Sequence, residues 1–228
     1  MLNKKMMTST VLLGMMTLGF AGQAFADEGD IQTIEGTKGK NSADVTTRGN
    51  LGKIDPTDPE TPLPEGDDRW IKVTLPTAVV FESGEDQASI KSSDKYEIIN
   101  ESGRPVKVDV KNYNISGGNG VSALTSLNIK RSAGYQGNET VNLVSGGAEA
   151  NNYEINEEFV RLANNQGRFG STETGGVKST NFEFTGTMNK EKLNNAGQNF
   201  VESKLTFKFT ALRMDGQTIE EAKGNYYR

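Results

Sequence analysis

The side chains able to do chemistry in this sequence are carboxylates, hydroxyls and aromatic rings, because its 228 residues include neither histidine nor cysteine. That removes Ser-His-Asp triads, thiolate nucleophiles and imidazole- or thiolate-built zinc sites together. No glycine-rich phosphate loop stands between a strand pattern and a helix pattern. Thirty acidic residues leave a carboxylate-pair polysaccharide-active enzyme as the familiar catalytic class still open. Glu157 and Glu158 are adjacent, though, and neighbours on an extended chain point to opposite faces, so their expected role is a solvated surface. "EGDD" at 65–68 and "GEDQ" at 84–87 offer oxygens without the alternating ligand spacing of a calcium loop. The reading is therefore of a protein that is not an enzyme, with no catalytic residue, no metal and no cofactor.

Binding is the remaining chemistry. Trp70, the only tryptophan, has a broad apolar face suited to stacking on a sugar ring. It also opens a strand-like stretch beside Ile71, where a tryptophan more often closes the bottom of a core. Phe207 and Phe209 are the other candidate binding residues, although their alternation with Lys208 equally suits a core face. A net charge of −5 argues against nucleic acid as a partner.

Four segments must position these residues. Residues 1–26 read as an export signal: Lys4 and Lys5, the apolar run "VLLGMMTLGF", then "AFA" at 24–26 before Asp27. The apolar run is too short for a membrane span, and cleavage after Ala26 would move the net charge to −7, since two lysines and no acid depart. Residues 27–53 form a polar arm in which "SADVTTRGNLGKI" offers one short strand. Residues 54–68, "IDPTDPETPLPEGDD", hold four of the six prolines and six acids, which predicts a semi-rigid extended spacer.

From residue 69 to 228 the pattern has period two. "RWIKVTL", "TAVVFES", "DKYEIINES", "VKVDVKNY", "ALTSLNIKR", "ETVNLVS", "STNFEFTGTM" and "SKLTFKFTAL" read as strands separated by glycine- and asparagine-rich turns. "NEEFVRLANN" at 156–165 admits a helical reading, with Phe159, Leu162 and Ala163 at helical spacing, and "NKEKLNNAGQ" reads as a helical turn or a loop. The prediction is an all-β antiparallel sandwich with short helical turns.

This order of signal, polar arm, "DPTDPETPLPEGD" linker and a β-rich domain ending in "SKLTFKFTAL" resembles the WxL-type surface proteins of low-GC Gram-positive bacteria. The resemblance implies noncovalent attachment to peptidoglycan, or assembly with other surface proteins, outside the cell. The family's Trp-x-Leu motif is missing, and Phe207-Lys208-Phe209 stands where its distal copy is expected. The expectation is thus an exported, noncatalytic protein of the cell surface or wall. The alternative is a subunit of a surface polymer assembled by strand addition.

Overall fold

The computed structural model describes residues 36–39, 42–44, 51–169, 176–193 and 199–225. The expected signal, most of the arm, and Tyr226 and Tyr227 lie outside the described residues. Eleven strands follow in chain order: β1 Val73–Thr74, β2 Phe81–Ser83, β3 Ser89–Ser92, β4 Tyr96–Asn100, β5 Val106–Gly117, β6 Leu124–Arg131, β7 Thr140–Ser145, β8 Ala148–Glu149, β9 Glu154–Leu162, β10 Ser179–Met188 and β11 Glu202–Ala211. A short helix, α1 Ile219–Asn225, closes the described chain.

Every strand pair is antiparallel. The larger sheet has eight strands, ordered β1-β4-β10-β6-β7-β8, with β3 sharing the β4 side of β10 and β2 beyond β3. The smaller sheet has three, ordered β11-β5-β9. This is the predicted all-β antiparallel sandwich.

Period-two patterning explains which side chains meet between the sheets. Val106, Val108 and Val110 of β5 are fully buried, as are Leu127 and Ile129 of β6 and Leu143 of β7. Phe207 bridges the layers: its ring centroid lies 6.0 Å from Phe182 on the larger sheet and 6.3 Å from Phe159 on its own. The tight β7–β8 turn uses Gly146 and Gly147 at φ 61° and 90°, the positive values that a two-residue hairpin demands.

Three expectations need correction. Residues 156–162 are strand rather than helix: β9 pairs along β5, and Phe159, Val160, Arg161 and Leu162 are all buried. Burial on both faces removes the alternation that would have marked a strand, leaving an accidental helical spacing. The strand expected at 69–75 shrinks to Val73–Thr74, and Trp70 sits in a 3-10 turn at Asp68–Trp70.

The third correction concerns residues 54–68, which are no spacer. They fold as a strap across one end of the sandwich. Its acids cap turns instead of stretching the chain: Asp55 accepts hydrogen bonds from the Thr57 amide and hydroxyl, Asp58 from the Glu60 amide, and Asp67 from the Arg69 amide. Leu63 is buried with Trp70 and Ala211, and Ile54 and Ile71 pack on that cluster. The strap backbone lies directly on Gly103, where an added Cβ would come within 2.9 Å of the Pro59 nitrogen.

Arg104 fixes the strap from below. Its Nε donates to Glu65 Oε1 at 2.8 Å, Nη1 donates to the Pro59 carbonyl at 2.9 Å, and the guanidinium lies 4.3 Å from the Trp70 ring centre. Glu65 Oε2 accepts the Met214 amide, and Trp70 Nε1 donates to the Pro64 carbonyl. The ion pair is buried on both sides, so removing one partner strands the other charge. Glu65→Ala is expected to cost about 3–5 kcal/mol, read by urea unfolding followed through the fluorescence of Trp70. The exposed control Glu85→Ala is expected to stay within about 0.5 kcal/mol. Equal stability of the two variants would mean the strap is not anchored through this pair.

Candidate binding surface

The structure places all three nominated binding residues in packing positions. Trp70 has 0% exposure beneath the strap. Phe207 and Phe209 are half-buried and face the inter-sheet core. None of the three offers an open ring face for a ligand.

Most of the nominated acids are engaged structurally, while Asp68 and Glu85 are exposed. Glu157 accepts from the Asn138 side-chain Nδ2 at 2.8 Å, while Glu158 holds Arg161 through both of its oxygens. Asp86 caps its own turn by accepting the Ala88 and Ser89 amides and the Ser89 hydroxyl. Among the described residues no group of three or more acids is gathered as a cation would require.

Arg161 is the most heavily committed cation. Besides Glu158 it donates to the Gly216 carbonyl and, through both Nη atoms, to Glu221 at 2.9 and 2.6 Å. Glu221 in turn closes a capping box, its oxygen accepting the Thr218 amide while the Thr218 hydroxyl accepts the Glu221 amide. The network moors α1 to β9. Hydrogen bonding from Arg161 holds the Glu221 carboxyl down to about 2 against the resistance of burial.

The two flanks of the sandwich differ. On the β9 side, the 132–138 loop hydrogen-bonds the strand's outer edge: the Tyr135 amide donates to the Arg161 carbonyl, the Arg161 amide returns the bond, and the Asn138 amide donates to the Glu158 carbonyl. Arg131 organises that loop by donating to the carbonyls of Phe159, Gln136 and Gly137. Val141, Leu143, Val160 and Leu162 beneath are fully buried.

On the other side, β11 pairs only with β5 among the described residues. Ile90 and Ile98 of this flank are buried, but other apolar residues stay half-buried: Val73, Phe81 and Tyr96 on the larger sheet, Leu75 and Val79 in the connection from β1 to β2, and Leu205 on β11. Where the start of β11 faces β2 and β3, a cleft of about 850 Å³ opens, lined by apolar residues such as Phe81, Ile90 and Phe200 and by polar ones including Glu82, Gln87 and Glu202. Val80 is 72% and Phe200 44% exposed at its rim. Sequence patterning marked the strands that carry Phe81 and Phe182 but gave no sign that a cleft would form, because the cleft depends on how the two sheets are set against each other.

No protein-family model, curated protein or solved structure matches the chain.

The Glu221 contact yields a signed pH dependence. Its folded value lies below the ordinary 4.5, so its contribution is present above that value and is lost as pH falls toward about 2. The melting-temperature gap between wild type and Glu221→Gln is expected to narrow over that interval. A gap that stays constant would show that the carboxylate charge does not hold α1.

Proposed function

We propose that the chain is an exported, noncatalytic cell-surface protein that attaches noncovalently to wall peptidoglycan or to a surface partner. One observation carries the reading: Glu157, Glu158 and Asp86 are occupied by hydrogen-bond and ion-pair partners, while among the described residues β11 pairs only with β5 and a cleft of mixed polar and apolar lining opens beside its start. An open strand edge beside a cleft of mixed lining, whose titratable groups are Glu82 and Glu202, is suited to holding a partner.

Export is supported by the signal-like residues 1–26, and location at the wall by the resemblance to WxL-type surface proteins. The strap fits this setting. A chain without cysteine has no disulfide to lock its end, and the buried Arg104–Glu65 pair and Trp70 perform that closure.

The test is cosedimentation of residues 27–228 with isolated Gram-positive peptidoglycan, with albumin as a non-binding control. Saturable pelleting is the expected result. A protein that remains in the supernatant at every wall concentration would remove peptidoglycan as the ligand and leave a protein partner.

A further inference from the structure

We propose that the β11 flank accepts the N-terminal arm of a second copy as an added antiparallel strand, with Leu51 of the donor seated in the cleft. This goes beyond surface attachment, because it assigns a site, an occupant and a mode of self-association.

The acceptor is built for a strand. β11 runs ten residues, "ESKLTFKFTA", without proline or glycine. Both irregularities of the β11–β5 pairing fall on β5, where Lys111 and Ser116 are the unmatched residues, so the open edge of β11 is regular. Edge strands left in this state are templates for pairing. The overhanging apolar residues Val73, Leu75, Val79 and Phe81 lie beyond β11 and are half-buried, whereas the opposite flank is sealed by the 132–138 loop. A fourth strand in the smaller sheet would cover that overhang.

A whole second domain fits less well than a single strand. Pairing β11 with β11 of another copy places a twofold axis perpendicular to the sheet, so both larger sheets would lie on the same side. Their overhangs would then compete for the same space. An isolated extended segment has no such conflict.

The arm carries a matching pattern. Were residues 45–51 to extend as a strand, Val45, Thr47, Gly49 and Leu51 would share one face, and Thr46, Arg48 and Asn50 the other. Run antiparallel with Leu51 opposite Ser203, this segment sets Gly49 against Leu205, Thr47 against Phe207 and Val45 against Phe209. All four arm residues then face inward with β11's own inward set. Leu51 reaches the end of β11 where the cleft opens, and Arg48 meets Thr206 rather than Lys204 or Lys208. On its own domain Leu51 is 103% exposed, an apolar side chain with no contact to leave.

Donation must be to another copy. Ile54 packs on the Leu63–Trp70–Ala211 cluster, at the C-terminal end of its own β11. A segment entering that point along its own β11 would run parallel to it, in a domain whose pairings are all antiparallel. Donation from copy to copy is heterologous, so it builds open chains rather than closed dimers.

The experiment uses residues 27–228 in sedimentation velocity over roughly 1 µM to 1 mM, the range of weak to moderate affinity. Wild type is expected to show mass rising with concentration, whereas Leu51→Asp (donor face) and Phe200→Asp (acceptor cleft) each stay monomeric. Their equimolar mixture is expected to give dimers and nothing larger, since Phe200→Asp can still donate and Leu51→Asp can still accept. Because Leu51 is fully exposed, its variant tests the idea even where Phe200→Asp fails to fold. In a second arm, Leu51→Cys mixed with Ser203→Cys is expected to give a mixed disulfide dimer in several-fold excess over either homodimer. A monomeric wild type, a Leu51→Asp variant that associates normally, or no mixed disulfide would each overturn the proposal. Pelleting of Leu51→Asp with peptidoglycan, measured alongside, keeps this outcome separate from wall attachment.

Discussion

The inter-sheet core is bounded by eight strands on one side and three on the other, and that inequality governs the rest of the molecule. A small sheet laid on a large one can bury the centre completely, as Val108, Ile129 and Phe184 show, but it cannot bury both margins. One margin is sealed locally by the Arg131-organised loop, whose amides pair with β9. The other is left with half-buried valines and phenylalanines and, among the described residues, a strand edge without a partner. The cleft lies on this margin, where the start of β11 meets β2 and β3.

The ends of the sandwich are closed by polar means. At one end the strap covers Trp70 and places a guanidinium between an aromatic face and a buried carboxylate. A buried ion pair contributes little net stability by itself, yet it makes the strap's position specific, because any displacement exposes an unpaired charge to an apolar setting. The α1 mooring repeats the device closer to solvent, where Arg161 holds two carboxylates at once. Both clamps tie segments outside the sheets to the smaller sheet, through Arg104 immediately before β5 and Arg161 within β9.

Much of the fold was legible in the residues. Val106, Val108 and Val110 alternate with lysine and aspartate, and Phe182 and Phe184 with polar neighbours, because each strand has one face in the core. The 156–162 segment was ambiguous for the converse reason: β9 is buried on both faces, so Val160 and Arg161 break the alternation. Arg161 in particular is a charge in a buried position, tolerable only because Glu158 and the distant Glu221 meet it there. No local pattern announces a partner 60 residues away.

Composition settled that chemistry built on imidazole or thiol is out of reach, since a chain without histidine or cysteine lacks those groups whatever its fold. Alternation settled the strand class. Tertiary structure alone decided the fate of residues 54–68. Read locally, four prolines and six acids describe a stretched spacer; in place, the same aspartates cap turns, and Leu63 and Glu65 find an apolar cluster and a buried arginine. It also decided which flank stays open, because the exposure of β11 depends on where every other strand ended. Local sequence fixes which way a side chain points along its strand, but burial is a property of what arrives from elsewhere to cover it.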